Sequence, residues 1–244
     1  MASTAVIAIG AIIMSNLFLL DTVKVQLDFL WLGMSLLGIA YALIIATGML
    51  GQDITQGIAY LFLPHMQRHA YLLARILGII AGLLLLLTLM TLVSMLSLAW
   101  GLNHSSAAAI HGVTLWAATI LGSVALLQSL TVLSIVTFIC SWASGPIEMM
   151  LFSSAFTGLA YLLPSVMQAM TSHVVMTQIP GWTAALIHAV DYLFPDMTGA
   201  QLALSVAHGL PLPQIEISWF LIAQIGYMMT LSAIGFLLFA RRDL

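Results

Sequence analysis

The chain has 244 residues, of which 62% are hydrophobic and only 5% charged, and its formal net charge is −3. Soluble domains carry roughly 25% charged residues. This composition excludes a water-soluble globular fold, because such a fold could not remove so much apolar surface from water. Apolar runs of about 20 residues, the length that crosses a hydrocarbon core about 30 Å thick, recur along the chain. They are much longer than barrel strands, so we expect an all-α membrane protein.

Apolar runs between polar breaks predict six transmembrane helices. They cover residues 3–20, 28–50, 70–100, 109–141, 147–169 and 217–240. The first run lacks a basic start and a small-residue cleavage site before Asp21, which favours a retained span over a signal peptide. No internal repeat divides the chain, so we expect one transmembrane domain over residues 1–244.

The basic residues predict the orientation. They are Lys24, Arg68, Arg75, Arg241 and Arg242. Cytoplasmic connections carry an excess of Lys and Arg. With six spans, the connection around Arg68 and Arg75 lies on the same side as the C-terminus, and this side carries four of the five basic residues. We therefore expect a multi-pass protein of the inner (cytoplasmic) membrane with both termini in the cytoplasm.

The connection between spans 5 and 6 is the longest. Within it, residues 181–193 are apolar but too short to cross, and Pro180 and Pro195 bound them. This pattern predicts a re-entrant or interfacial helical segment, and Trp182 suits the depth of the lipid headgroups. A surface-lying helix with no role in transport is the alternative.

Residues 51–75, between spans 2 and 3, predict a short helix on the membrane surface. Asp53 can cap its start, and Pro64 ends it. The next helix begins near Arg68. The apolar residues that share one face of the short helix are Ile54, Ile58, Leu61 and Phe62.

This segment resembles the permease subunits of type-2 ATP-binding-cassette (ABC) exporters. In that family, spans 2 and 3 are joined by an acidic residue with a glycine four positions later, then leucines, a proline, an arginine and an aromatic-Leu-Leu-x-basic run ending in glycine. The matching positions are Asp53, Gly57, Leu61, Leu63, Pro64, Arg68, Tyr71, Leu72, Arg75 and Gly78. The last span of the family commonly closes on Phe-x-Arg-Arg-Asp, as residues 239–243 do here. The chain departs from the pattern by one extra residue between Pro64 and Arg68, and its other spans match by pattern alone.

The resemblance implies that residues 53–63 form a coupling helix seated in a cleft on a separate ATPase subunit. The residues implied in ATPase coupling are Asp53, Ile54, Gly57, Ile58, Leu61, Pro64, Arg68 and Arg75. A phosphate-binding Walker loop needs Gly-Lys-Ser/Thr, and the only lysine here is Lys24 in Asp-Thr-Val-Lys-Val. We therefore expect no enzymatic activity and no cofactor in this chain, with ATP and Mg²⁺ bound by the partner. The expected assembly is two permeases, as a homodimer or pseudo-dimer, with two ATPases in a lipid membrane and no nucleic acid.

A substrate path would use the few hydroxyl groups in spans 4 and 5. The candidates are Ser129, Thr137, Ser153 and Thr157. Such residues also hold helices together, and that structural role is the alternative. The low charge of the spans favours a hydrophobic or amphipathic cargo.

Other chemistries fit the sequence less well. His65 and His69 are one helical turn apart and could chelate a metal, but the further histidine boxes of membrane metalloenzymes are missing, so we expect no metal site. Only His111 is a modest haem-ligand candidate. Glu148, just after a Gly-Pro pair, is an ionisable group near a span end, where solvation is the simpler interpretation. A non-transporting membrane anchor or assembly factor that recruits a soluble partner remains the alternative function, and a haem-binding quinol anchor is a third.

Overall fold

The computed structural model describes residues 22–55, 68–104, 113–170, 180–185, 199–211 and 214–241, together with residues 7, 9–11, 13 and 189. This part of the chain is helical and contains no strand. Its main helices are α1 (Thr22–Thr55), α2 (Arg68–His104), α3 (Trp116–Cys140), α4 (Pro146–Met170), α5 (Ala200–Ala207) and α6 (Gln214–Arg241).

Among the described residues, five helices are long and apolar enough to cross a membrane. Their candidate spans are Val23–Thr55, Ala70–Asn103, Trp116–Cys140, Pro146–Leu163 and Ile217–Arg241. At 1.5 Å per residue, the 25 residues of α3 extend about 37 Å, which exceeds a hydrocarbon core of about 30 Å. The expectation of a multi-pass, all-α membrane protein is confirmed for these five helices.

The first expected span, residues 3–20, lies mostly outside the described residues. Those that are described are helical and pack against α1. A Cβ built on Gly33 would meet Ile7, and a Cβ built on Gly10 would lie 3.1 Å from the ring of Phe29. Because the later residue of this segment meets the earlier residue of α1, the segment runs antiparallel to α1.

Three span boundaries differ from those expected by five residues or more. The helix expected to start at residue 28 starts at Thr22, because its polar residues Gln26 and Asp28 have partners in Ser97 and His208. The helix expected to stop at residue 50 continues to Thr55, because Gly51 and Asp53 are held by tertiary contacts that compensate their poor helix propensity. The helix expected from residue 109 begins at Trp116 instead. The carbonyl of Thr114 accepts a hydrogen bond from Ala117 N at 3.0 Å, which makes a turn of the chain just before the helix.

Helix α3 is the centre of the bundle. In its spanning window 72% of the residues are buried, against 17–28% in the other four candidate spans. It contacts each of the other five helices. Because neighbouring helices surround α3, its buried polar residues Gln128 and Thr131 can bond to side chains of α1 and α6.

The bundle has two ends that differ in composition. One end carries Asp53, Arg75 and Arg241, and we call it the arginine end. Its core cluster joins Leu50 of α1, Leu72 of α2, Cys140 of α3, Met149 of α4 and Phe239 of α6. The start of α2 and the end of α6 therefore lie at the same end of the bundle.

Tryptophans mark the other end, which we call the tryptophan end. Trp100 at the end of α2, Trp116 at the start of α3 and Trp219 near the start of α6 are 61%, 69% and 55% exposed. At the arginine end, Trp142 is 47% exposed and its ring centroid lies 4.9 Å from that of Phe152. Exposed tryptophans at helix ends are typical of the two membrane–water interfaces.

The connection between α4 and α6 contains a packed element that the sequence did not predict. Helix α5 buries Ala203, Val206 and Ala207 against α1 and α3 at the tryptophan end. The segment expected to be re-entrant or interfacial, residues 181–193, is described mainly at 181–185, which is helical and exposes 73% of Trp182. The rest of that segment lies outside the described residues.

Candidate functional site

Asp53 and Arg75 join the two helices that flank the 56–67 connection. Arg75 Nη2 donates a hydrogen bond to Asp53 Oδ1 at 2.7 Å. The side chain of Asp53 is 6% exposed and that of Arg75 is 31% exposed. A charge-assisted pair in such a place is stronger than one in water, because the surroundings screen it less. The end of α1 is thereby tied to the start of α2.

Tyr71 supports the guanidinium of this pair from one turn earlier in α2. Arg75 Nε donates a hydrogen bond to Tyr71 Oη at 3.3 Å, and Arg75 Cζ lies 5.7 Å from the centre of the Tyr71 ring. Residues four apart in a helix lie on the same face. The aromatic-Leu-Leu-x-basic spacing therefore places the ring where it can hold the arginine towards α1.

The role that the sequence suggested for Asp53 as a helix cap is wrong. Asp53 lies inside α1, two residues before its end, and its carboxylate binds Arg75. An N-cap residue has non-helical backbone angles and bonds to the next turn's backbone N–H, whereas Asp53 is already within a continuing helix. Its side chain holds α1 to α2 and does not face outward.

The other residues implied in coupling are only partly described. Ile54 is half-buried and packs against the core cluster of the arginine end. Arg68 is the first residue of α2. Gly57, Ile58, Leu61 and Pro64 lie outside the described residues, and so does most of the expected surface helix.

The same end of α1 meets the start of α4. Gly51 approaches Pro146 so closely that a Cβ on Gly51 would lie 2.5 Å from Pro146 Cα. The turn that leads into α4 is closed by Glu148, whose Oε2 accepts a hydrogen bond from Ser144 N at 2.7 Å. Glu148 therefore has a local capping role, and its side chain is exposed as expected.

The hydroxyl groups expected along a substrate path fall into two kinds. Ser129 and Thr137 are buried in α3 and donate to carbonyls of their own helix, to Ala125 O at 2.7 Å and to Leu133 O at 2.8 Å. Ser153 and Thr157 are buried on one face of α4, and within the described part of the chain their hydroxyls have no hydrogen-bond partner. The four residues thus lie on two helices, and only the two of α4 lack a partner among the described residues.

Buried glutamines connect the helices, and the sequence reasoning missed them. Ser35 Oγ of α1 donates to Gln128 Oε1 of α3 at 2.7 Å, and Thr131 of α3 donates to Gln224 of α6. Gln26 Nε2 of α1 donates to Ser97 O of α2 at 3.0 Å. An amide in an apolar run needs a partner in another helix. That rule could have identified the glutamines as contact positions from the sequence. It could not have identified their partners.

The histidines give no metal site in the described residues. No group of three or more His, Cys, Asp or Glu that could hold a metal ion is found there. His65, His111 and the side chain of His69 lie outside them. His208, just after α5, binds Asp28 of α1 with Nε2 and Oδ2 3.2 Å apart, which ties the α5 region to α1 at the tryptophan end.

Comparisons with protein-family models, curated proteins and solved structures found no match to this chain.

Proposed function

We propose that this chain is the transmembrane permease subunit of an ATP-driven exporter that resembles the type-2 ABC family. It would couple ATP hydrolysis by a separate nucleotide-binding subunit to the movement of a substrate across the membrane. The observation that carries the proposal is the Asp53–Arg75 pair. Two positions of the family-like motif, 22 residues apart in sequence, bind each other on the two helices that flank residues 56–67.

The Asp53–Arg75 pair fixes the relative position of the two helices that flank the 56–67 connection. At the arginine end, Asp53 binds Arg75, and at the tryptophan end, Gln26 binds Ser97. These two contacts lie at opposite ends of the α1–α2 pair, so the two helices are tied together over most of their length. A push on the connection would then move α1 and α2 as one body, as in the hinge and shear movements of other transporters and switches. Asp53 and Arg75 act inside the chain, while the surface that docks on the ATPase belongs to the connection itself.

The proposed membrane setting places the arginine end in the cytoplasm. Arg75 and Arg241 lie at this end, α2 starts there with Arg68, and Lys24 lies in the first turn of α1 at the tryptophan end. This distribution of Lys and Arg supports an inner-membrane protein with cytoplasmic N- and C-termini. In this setting the 56–67 connection would be within reach of a cytoplasmic ATPase.

The energy would come from a partner. ATP and Mg²⁺ would bind to that ATPase subunit, and a second permease copy would complete a unit of two permeases and two ATPases. Lys24 belongs to the first turn of a membrane helix and not to a glycine-rich loop, which supports a chain that does not hold ATP by a Walker loop.

We restrict the candidate substrate path to two of the four residues that the sequence suggested. Within the described residues, the buried hydroxyls of Ser153 and Thr157 on α4 have no hydrogen-bond partner, whereas Ser129 and Thr137 donate to carbonyls of α3. We therefore assign the path to the α4 face, and a hydrophobic or amphipathic substrate suits the apolar residues around it.

Purification from the native host in mild detergent tests the proposal. We expect a P-loop ATPase to co-purify and to hydrolyse ATP in the complex. Asp53→Asn should lower the permease-dependent ATP hydrolysis severalfold, because the ion pair that holds the end of α1 to α2 is lost. Asp28→Asn is the matched control, since Asp28 lies in the same helix at the other end and is 43% exposed.

Two outcomes would refute the proposal. One is a purified chain without any ATPase, and the other is a complex in which Asp53→Asn behaves like Asp28→Asn. If the partner that co-purifies is a soluble protein without ATP hydrolysis, the chain is instead a membrane anchor or assembly factor.

A further inference from the structure

The last turn of α1 touches the first turn of α4 backbone to backbone. A Cβ built on Gly51 would lie 2.5 Å from Pro146 Cα, 2.7 Å from Pro146 Cβ and 2.9 Å from Pro146 N. Real Cβ atoms essentially never come within 3.0 Å of such atoms. Small residues let membrane helices approach this closely, so the contact depends on glycine at position 51.

A second contact extends the first by one helical turn. Thr55 follows Gly51 by four residues and lies on the same face of α1. A Cβ built on Gly145 would lie 3.3 Å from Thr55 Cγ2. The hydroxyl of Thr55 donates to Gly51 O at 3.0 Å, which fixes its methyl group towards the start of α4.

The start of α4 is itself rigid. Met149 N donates to Gly145 O at 3.0 Å, and Glu148 Oε2 accepts from Ser144 N at 2.7 Å. The proline ring fixes φ of residue 146. Met149 is fully buried in the core cluster of the arginine end. A displacement at Pro146 therefore moves α4 as a whole, because its first turn cannot shift separately from the rest of the helix.

We propose that Gly51 is a positioning residue that passes movement of the 56–67 connection to α4 through Pro146. The end of α1 is held by Asp53 to α2 on one face and by Gly51 to α4 on another. No side chain stands between the two backbones at Gly51, and close-packed groups transmit displacement because they cannot be compressed. The inference rests on the proposed function, since it names how the coupling reaches a third helix.

The helix that would move carries the two buried hydroxyl groups that have no partner among the described residues. Ser153 and Thr157 follow Met149 at spacings of four residues, so the three lie on one face of α4. All three are buried. A shift of α4 that starts at Pro146 changes the surroundings of these two hydroxyls. It would thereby link the 56–67 connection to the candidate path.

Gly51→Ala and Gly48→Ala make a matched pair for the test. Both replace a glycine of α1 by alanine, which raises helix propensity by up to about 1 kcal/mol in each case. A Cβ on Gly48 would meet no described atom within 4 Å, whereas a Cβ on Gly51 would push α1 away from Pro146. Only the second substitution should disturb the contact.

The first measurement reports the contact itself. Thr55→Cys and Gly145→Cys are introduced together in a Cys140→Ala background, and disulfide formation is followed in detergent. The Thr55 and Gly145 side-chain positions lie within disulfide reach. We expect the rate of disulfide formation to fall severalfold with Gly51→Ala and to stay unchanged with Gly48→Ala. Equal rates in the two variants would overturn the proposal.

The second measurement reports transmission in the complex with the co-purified ATPase. Fluorescent amino acids at the exposed positions Leu151 of α4 and Leu237 of α6 report their separation by energy transfer. ATP should change the transfer in the parent chain and with Gly48→Ala, and the change should fall severalfold with Gly51→Ala although the ATPase stays bound. A full response of α4 in Gly51→Ala overturns the proposal while leaving the proposed function intact.

A locked variant keeps the test decisive if Gly51→Ala does not fold. The disulfide between positions 55 and 145 preserves the contact, so the ATP-dependent change in energy transfer should persist when it is formed. Loss of the change in the oxidised chain, with recovery on reduction, would mean that α1 and α4 must separate during the cycle. If no ATPase binds the parent chain, the proposed function fails and this inference fails with it.

Discussion

Replacing Arg75 by glutamine should destabilise the isolated chain more than replacing Asp53 by asparagine. The two substitutions break the same ion pair but leave different groups without a partner. Arg75→Gln leaves a carboxylate whose side chain is 6% exposed, whereas Asp53→Asn leaves a guanidinium that is 31% exposed and still bonded to Tyr71. The more buried unpaired group lowers the free energy of unfolding more, because water cannot reach it to replace the lost partner.

The magnitudes follow from the burial of each partner. Removing one partner of a fully buried pair costs about 3–5 kcal/mol, whereas an exposed pair contributes about 0.2–1 kcal/mol. Arg75→Gln lies nearer the first case, and we expect a loss of about 2–3 kcal/mol. Asp53→Asn lies nearer the second, with a loss of about 1 kcal/mol. The double variant should lose at least about 1 kcal/mol less than the sum of the two single losses.

The assay is equilibrium unfolding of the purified chain in mixed micelles with increasing SDS, followed by far-UV circular dichroism. Arg241→Gln, at the same end of the bundle with an exposed side chain, is the control for removing a positive charge. Equal losses from the two single variants, or losses that simply add in the double variant, would refute the reasoning. The first result would mean that burial does not set the cost, and the second that the pair does not interact.

Two further predictions concern contacts inside the bundle. Gly235→Ala should lower stability by about 1–3 kcal/mol, because its Cβ would lie 3.0 Å from Phe138 Cα. In the same helix, a Cβ on Gly226 would meet no described atom within 4 Å, so Gly226→Ala should cause no loss. Thermal unfolding in detergent compares the two. Thr131→Val and Gln224→Leu should each cost about 0.6–1.7 kcal/mol and be strongly non-additive, since the two side chains bond to each other. A double-mutant cycle in SDS-titrated micelles measures the coupling, and additive losses would contradict the hydrogen bond.

The spans were predictable because of the bilayer. In hydrocarbon each helix must satisfy its own backbone, so the apolar run alone indicates the helix. The runs at 70–100, 147–169 and 217–240 correspond to helices that begin and end within a few residues of the expected limits. The expected six-helix layout stays a prediction, because the first run lies mostly outside the described residues.

The interpretation of the α1 terminus failed for a physical reason. Gly51 and Asp53 are a helix breaker and a helix cap by local propensity, so the sequence suggested that a span ends and a new helix begins there. Propensity amounts to about 1 kcal/mol per residue. The contact with Pro146 and the bond to Arg75 outweigh it, and both partners are distant in sequence.

Helix α5 was missed for a related reason. Its eight residues are too few to cross the membrane and carry no cap that marks them in sequence. Gly199, just before it, has a φ of 58°, which glycine adopts without strain. A Cβ there would lie 3.0 Å from both Phe220 and Val124. The position of α5 depends on these neighbours, and no local pattern names them.

By itself the sequence determined that the chain is an all-helical membrane protein. It also indicated where five of the spans lie and that one polar segment separates two of them. These features follow from local composition, because in hydrocarbon each helix must satisfy its own backbone hydrogen bonds. The tertiary structure decided which polar residues meet. Asp53 binds Arg75, Gly51 touches Pro146, and the glutamines join helices in pairs. These contacts depend on the register and rotation of packed helices, and register is set by many side chains at once, so no single run of residues carries it.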